Sequence, residues 1–184
     1  MSSTEINTDM TRHPLGEASP QGGSNTVLAF HRHYLFPPER VWAAITDPEE
    51  TEKWWAASRG RLAPGERFEL RWLNGRDEEL EWWPGEVVAV EPPRLLEITN
   101  REHGSIRFEL TEADADGLPG TWLTFTNVIS AEPEQVRMSL AGWHVHLDHL
   151  QEALEGRRVD WARWHDDVYP AWEAVYREYT DAAG

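Results

Sequence analysis

The sequence contains no cysteine, which excludes disulfide bonds, thiolate metal sites and thiol catalysis. It also lacks an apolar run near the ~20 residues that a membrane-spanning helix needs. Positive charge is scarce, because the chain has 17 basic and 33 acidic side chains and a formal net charge of −16. Nucleic acids and anionic membrane surfaces are bound through Lys and Arg, so we expect neither as a partner and no membrane insertion.

Tryptophan, by contrast, is abundant, with eleven residues among 184. Trp is large and amphipathic, so this number predicts a Trp-rich core, a wide apolar cavity, or both. The length fits a single domain that buries enough surface to fold without cross-links. The first 25 residues contain no basic start followed by an apolar core, so we expect no signal peptide and a cytoplasmic protein.

Three regions are predicted along the chain. Residues 1–25 are polar and aperiodic, which predicts a flexible tail that contributes little to stability. Residues 26–156 carry the periodic patterns of a folded domain. Residues 157–184 are rich in Trp and Tyr, which predicts a helical extension that packs back on that domain.

The folded region opens with a predicted β-strand over residues 27–36. One alternate set along it is the more apolar, and we expect this set to point inward: Leu28, Phe30, Arg32, Tyr34 and Phe36. Two short helices are predicted next, over residues 38–47 and 48–55. Each has a proline near its start, and Asp47 is placed to cap the second.

Short segments of strand composition then predict an antiparallel meander, giving six to seven strands in all. These segments are residues 65–73, 78–83, 85–90, 94–99, 105–112 and 121–129. Asn74-Gly75 and Pro84-Gly85 predict turns, and residues 113–120 predict a longer loop.

A long helix is predicted over residues 139–156, where one face carries Trp143, Leu147, Leu150 and Leu154. The element order predicts an α+β fold in which a curved antiparallel sheet grips this helix and the two short helices close one end. We expect an apolar pocket between helix and sheet, because one helix cannot fill the concave face of a curved sheet.

Several motifs make the chain resemble the SRPBCC superfamily, whose fold is the START-like helix-grip fold. Within it, the chain is similar to the group of the activator of the ninety-kilodalton heat-shock chaperone ATPase. The resemblance covers roughly residues 26–156 and rests on residues 36–42, 46–49, Trp54-Trp55, 85–87, Pro92-Pro93, Gly142-Trp143, Leu147, Leu150 and Leu154. It implies lipid-like or polyketide-like ligands in the cavity, with cyclase, hydrolase and chaperone-contacting activities in some members.

A non-catalytic, hydrophobic ligand-binding protein is therefore the first functional hypothesis, with no cofactor. Arg32 would hold an acidic group of the ligand, with Tyr34 beside it, unless Arg32 instead forms a structural ion pair. The expected pocket residues are Arg32, Tyr34, Trp55, Phe68, Leu70, Trp72, Ile98, Phe108, Phe125, Asn127, Trp143, His146, Leu147 and Leu150.

Two other functions remain open. A cyclase or hydrolase would use His146 as an acid and base and Arg32 as an oxyanion partner, although no recognisable catalytic set favours this reading. A chaperone-contacting stress-response protein would act through its surface, and a homodimer remains possible. A deep cavity with converging polar groups would support the first two hypotheses, and a filled core the third.

Two pairs of side chains have a spacing that could place two metal ligands on one face. His31 and His33 share one strand face, but the sequence offers no third ligand. His144 and Asp148 share one helix face, and simple solvation explains them better. We therefore expect no metal site.

Overall fold

The computed structural model of the protein describes residues 13–75, 81–115 and 118–182; for residues 114, 115, 118 and 119 it describes the backbone alone. Within these ranges the strands are β1 (Glu17–Pro20), β2 (Asn25–Tyr34), β3 (Ala56–Gly60), β4 (Arg67–Trp72), β5 (Trp83–Glu91), β6 (Leu95–Asn100), β7 (Gly104–Ala115) and β8 (Leu118–Ser130). The helices are α1 (Pro38–Thr46), α2 (Pro48–Thr51), α3 (Pro133–Leu154), α4 (Trp164–Asp167) and α5 (Tyr169–Asp181).

All eight strands belong to one antiparallel sheet in the order β1-β2-β8-β7-β6-β5-β4-β3. The alternation in β2 decides which face is internal, because Leu28, Phe30, Arg32 and Tyr34 are all buried. The predicted inward set is thus confirmed over these four residues. The α+β fold with a long helix packed on a curved sheet is also confirmed.

Helix α3 crosses the inner face of the sheet and buries the predicted stripe of Trp143, Leu147, Leu150 and Leu154. It begins at Pro133, earlier than predicted, because proline is favourable at the first position of a helix. The phenol of Tyr34 donates a hydrogen bond to the carbonyl of Leu147 over 3.2 Å, which ties β2 to the middle of the helix.

The two short helices lie where the sequence predicts them. The carboxylate of Asp47 accepts a hydrogen bond from the backbone N–H of Glu49 at 2.9 Å, and so caps α2. Helix α2 ends at Thr51, earlier than predicted, and Trp54 and Trp55 follow it into the core. Trp54 is anchored there by an N–H donated to the carbonyl of Ala44.

The predicted turn at Pro84-Gly85 is wrong, because β5 runs through both residues. Pro84 pairs with β4, whereas the pairing of β5 with β6 begins at the next residue, Gly85. The N–H that proline lacks is therefore not needed for a hydrogen bond to β6. A Cβ at Gly85 would lie 2.7 Å from the carbonyl oxygen of Thr99. Close backbone packing therefore explains this glycine.

Two further strand boundaries differ from the prediction. The expected loop over residues 113–120 is shorter, because β7 and β8 remain paired as far as Ala115 and Leu118. Strand β3 was not predicted, since its small and polar residues give no clear alternation. The predicted strand over residues 78–83 falls partly on residues 76–80, which lie outside the described residues.

The predicted flexible tail over residues 1–25 needs correction, because Glu17–Pro20 forms β1 and pairs with residues 26–29 of β2. All four residues of β1 are exposed, so no hydrophobic alternation signalled the strand. The residues that precede β1 pack over the buried side chains of Phe30 and Arg32 on β2. The carbonyl of Pro14 accepts a hydrogen bond from Arg32 at 2.9 Å, and Gly16 lies so close to the Phe30 ring that a Cβ would overlap it.

Deletion of residues 1–24 is therefore expected to lower the free energy of unfolding by about 1–3 kcal/mol, because it removes β1 and exposes the buried ring of Phe30 to water. Urea denaturation measures the change. Gly16→Ala in the full chain isolates the contact with Phe30, and wild-type midpoints for both variants would show that this segment contributes no stability.

The segment after α3 turns back along the domain. Trp161 begins a short 3-10 turn and donates its indole N–H to the carbonyl of Glu52 at 2.7 Å. Helix α5 then packs against α3, and Tyr179 on its last turns accepts a hydrogen bond from the backbone N–H of Gly16. In the described part of the chain, no helix combines the length and the apolarity needed to cross a membrane.

Candidate functional site

A pocket of about 890 Å³ lies at one end of the molecule, beside the turn between β6 and β7. Its walls come from the sheet, from the first half of α3 and from the C-terminal segment. Its aromatic lining residues are Trp72, His103, Trp143, His146, Trp164, Tyr169 and Trp172. The charged lining residues Arg101 and Glu102 are both exposed at the rim.

Asn127 organises the floor of this pocket. Its Oδ1 accepts the indole N–H of Trp143 at 2.9 Å, and its Nδ2 donates to the carbonyls of His103 and Ser105 at 2.7 and 2.9 Å. Asn127 is 2% exposed, so these bonds replace its contacts with water. One amide thus fixes α3 and the β6–β7 turn to β8, and it has little capacity left for a ligand.

His146 lies on α3 in the pocket wall and is 3% exposed. Its Nδ1 lies 2.9 Å from the carbonyl oxygen of Trp54, and its ring packs against Trp72 and Trp143 at centroid distances of 5.3 and 6.1 Å. Burial lowers the pKa of His146 to about 4, although the Trp54 carbonyl opposes the shift. The imidazole is therefore neutral at pH 7.

His103 occupies the β6–β7 turn and lines the same pocket. Asn100 holds it, because Asn100 Oδ1 accepts the backbone N–H of His103 and lies 3.1 Å from its Nδ1. Gly104 follows with φ +71, a conformation that glycine adopts without strain. Burial also lowers the pKa of His103 to about 4.

The outer wall of the pocket belongs to the C-terminal segment. Tyr169 stacks on Trp172 with ring centroids 5.4 Å apart and an interplanar angle of 23°, and Trp172 stacks on Tyr176 at 5.3 Å and 10°. Trp164 is 8% exposed and packs edge-on against Tyr169. This segment therefore contributes aromatic surface to the pocket as well as packing on α3.

The structure brings four of the fourteen predicted site residues into the pocket wall, namely Trp72, Asn127, Trp143 and His146. Eight others are buried in the main core and do not line the pocket: Trp55, Phe68, Leu70, Ile98, Phe108, Phe125, Leu147 and Leu150. The space expected along the whole of α3 is filled by aromatic contacts such as that between Phe108 and Phe125, at 5.0 Å. The pocket of about 890 Å³ lies beyond these contacts.

Arg32 and Tyr34 do not line the pocket either. The guanidinium of Arg32 donates to the carbonyls of Pro14 and His31 at 2.9 and 3.2 Å, beneath the N-terminal segment. Burial lowers the pKa of Arg32, while Tyr34, Asp148 and Tyr179 oppose the shift. The short helices α1 and α2 were expected to close the pocket, but they do not line it. Residues of α4 and α5 form that part of the wall instead.

The histidines of the two candidate metal-ligand pairs contact other side chains. His33 packs against Trp122 on the outer face of the sheet, and His31 contacts the hydroxyl of Thr124. His144 is buried between α3 and α5, where its Nδ1 lies 3.2 Å from the Tyr179 hydroxyl, so it is not a solvated residue. In the described ranges, no group of three or more acidic or histidine side chains is arranged to hold a metal ion.

Sequence reasoning missed four of the aromatic residues that line the pocket, namely His103, Trp164, Tyr169 and Trp172. The aromatic composition of residues 157–184 was the available signal for the last three, but it was assigned to packing alone. His103 gave no signal, because a single histidine between two strands is an ordinary turn residue. Its place in the site depends on Asn100 and Asn127, which lie in separate strands.

The sheet gripping a long helix, with an aromatic pocket at one end, defines an α+β protein of the helix-grip class. Within that class, the chain belongs to the family described as Activator of Hsp90 ATPase homolog 1-like protein, which matches residues 35–155. The resemblance found in the sequence is thereby confirmed. Trp164, Tyr169 and Trp172 lie beyond the matched residues.

Solved structures share the fold at low sequence identity. CalU16 from Micromonospora echinospora aligns with a TM-score of 0.62 at 19% identity, over 91% of this chain and 98% of that chain. A protein from Enterococcus faecalis, EF2215, described as a conserved protein of unknown function, gives 0.64 at 15%, over 91% and 90%. The BPP1335 protein from Bordetella parapertussis gives 0.63 at 24%, over 91% and 90%. The comparison with curated proteins found no match.

Proposed function

We propose that this protein binds a hydrophobic small molecule, lipid-like or polyketide-like, in the pocket beside the β6–β7 turn. The observation that carries the proposal is the aromatic lining of a pocket of about 890 Å³. Small-molecule sites are concave and mostly apolar, with a few fixed polar groups, and usually measure ~300–1,000 Å³. His103 and His146 supply the fixed polar groups here.

The enzyme alternative has weaker support, because it needs His146 and Arg32 at one site. His146 lines the pocket, whereas Arg32 is engaged with backbone carbonyls beneath the N-terminal segment. A histidine whose pKa is about 4 is also a weak base at neutral pH. The chaperone alternative is supported by the name of the family alone.

Titration with palmitate, flavone and pyrene is expected to change the intrinsic tryptophan fluorescence, because Trp72, Trp143, Trp164 and Trp172 all line the pocket. Gly142 provides a matched pair of variants, since a Cβ there would lie 3.9 Å from Trp172 Nε1 at ordinary contact distance. Gly142→Ala should preserve binding, and Gly142→Phe should fill the pocket and weaken it at least about tenfold, or ~1.4 kcal/mol.

Circular dichroism of both variants shows whether they fold. The proposal fails if none of the three compounds binds more tightly than ~1 mM, about −4 kcal/mol. It also fails if Gly142→Phe is folded and binds as tightly as Gly142→Ala, because the ligand would then occupy another place.

A further inference from the structure

The two histidines of the pocket are each held in one tautomer. His146 Nδ1 lies 2.9 Å from the Trp54 carbonyl oxygen, which can only accept, so Nδ1 carries the proton. His103 Nδ1 lies 3.1 Å from Asn100 Oδ1, and this oxygen also accepts the backbone N–H groups of Glu102 and His103. The two N–H donors identify which atom of the Asn100 side-chain amide is the oxygen. Because this oxygen can only accept, His103 Nδ1 must be the donor.

Each ring therefore keeps an unprotonated Nε2, which is a hydrogen-bond acceptor. None of the described residues forms a hydrogen bond with either Nε2. The low pKa of both groups leaves the two rings neutral at pH 7. Both rings contact Trp72, with centroids 5.0 Å away for His103 and 5.3 Å away for His146.

This arrangement discriminates among ligands by their polar groups. A carboxylate would place its lone pairs against those of the two Nε2 atoms, in a protein whose net charge is already −16. An ammonium group would lose its hydration without an acidic partner inside, since Glu102 is at the exposed rim. A neutral O–H donor meets neither penalty and can donate one hydrogen bond to either Nε2.

We propose that the pocket selects uncharged, planar aromatic ligands carrying a phenolic hydroxyl, and that Nε2 of one of the two histidines, His146 or His103, accepts the hydrogen bond from that hydroxyl. This inference rests on the proposed function and deepens it by naming the ligand class. The flat faces of Trp72, Trp143 and Trp172 provide the apolar contact, and the histidines distinguish a donor from an acceptor.

Three pyrene probes of similar ring area test the inference at about pH 7: 1-hydroxypyrene, 1-methoxypyrene and 1-pyrenecarboxylate. Their fluorescence anisotropy reports binding directly. We expect 1-hydroxypyrene to bind about fivefold more tightly than 1-methoxypyrene, the effect of one neutral hydrogen bond, and 1-pyrenecarboxylate to bind most weakly. Equal affinities for all three would overturn the selectivity and leave the proposed function standing. Binding of none would instead contradict the proposed function.

His103→Phe and His146→Phe remove the acceptor and keep an aromatic ring. At least one of them should abolish the preference for 1-hydroxypyrene over 1-methoxypyrene, and glutamine at the same position should restore part of it. Damage to the fold lowers the affinity for both probes, so their ratio separates recognition from stability. An unchanged ratio in both variants would show that the histidines do not accept the bond; if one variant does not fold, the other and the two glutamine variants decide.

Discussion

Replacing Trp143 by alanine is expected to lower the free energy of unfolding by about 3–5 kcal/mol. The ring is 5% exposed and contacts Phe125, Trp72 and Trp55 at centroid distances of 4.4, 5.5 and 5.7 Å. Its removal would leave a cavity beneath α3 that these rigid rings cannot close. It would also leave Asn127 Oδ1 without the indole donor that lies 2.9 Å away. Urea denaturation followed by circular dichroism measures the loss.

Trp143→Phe is the matched control, because it keeps an aromatic ring on α3 and removes the N–H donated to Asn127. We expect this variant to lose about 1–3 kcal/mol, the cost of an unpaired buried acceptor, and so to fall between alanine and wild type. An unfolding midpoint for Trp143→Ala that matches the wild type would contradict the packing of α3 described above.

The elements predicted correctly from the sequence are those with a local periodic signal. Strand β2 alternates between buried and more exposed residues, and α3 repeats its apolar residues at helical spacing, so each pattern indicated one internal face. Strand β1 has four exposed residues, and β3 is short and rich in small residues. Strand β1 pairs with β2, and β3 pairs with β4, so each is defined by hydrogen bonds to its neighbouring strand, which its own side-chain pattern does not record.

The candidate site was harder to predict, because a pocket is the space that packing leaves unfilled. The curvature of the sheet led us to expect a cavity along the whole of α3. Whether that space is filled depends on how Trp54, Trp55, Phe108 and Phe125 interlock, with centroids 5.0 to 6.4 Å apart where they meet. Side-chain volumes and relative orientations decide this outcome, and neither follows from periodicity.

Arg32 illustrates the same limit for a charged residue. Its inward position was predicted correctly, but its hydrogen bond to the Pro14 carbonyl was not, because Pro14 belongs to a segment assigned to a flexible tail. The carbonyl of Pro14 accepts a hydrogen bond from a guanidinium that was expected either to hold an acidic group of a ligand or to form a structural ion pair. The pocket instead contains two neutral histidines, which changes the expected ligand from an acid to a neutral donor.

Acidification from pH 7 to about 4.5 is expected to destabilise the protein through His146. The pKa of this group is about 4 in the folded chain, where burial disfavours the imidazolium, against 6.5 for an ordinary histidine. As the pH falls below about 6.5, the unfolded chain binds a proton that the folded chain does not bind until about pH 4. The free energy of unfolding therefore decreases across this window, by about 3 kcal/mol for the full shift of His146.

In the upper part of this pH window, the loss of stability comes from the histidines and not from the carboxylates. Hydrogen bonds from Arg107 and Arg59 lower the pKa of Glu109 and of Glu69, so these acids lose their favourable ionised contacts only below their usual range. Because the pKa of His103 is lowered as well, the pH dependence of the wild-type stability alone does not assign the effect to one histidine.

His146→Gln keeps a side chain that can donate to the Trp54 carbonyl and removes one titrating group. Urea midpoints at about pH 7, 5.5 and 4.5 should therefore fall less steeply in this variant. Equal slopes in both proteins would show that His146 is protonated as readily in the folded chain as in the unfolded one.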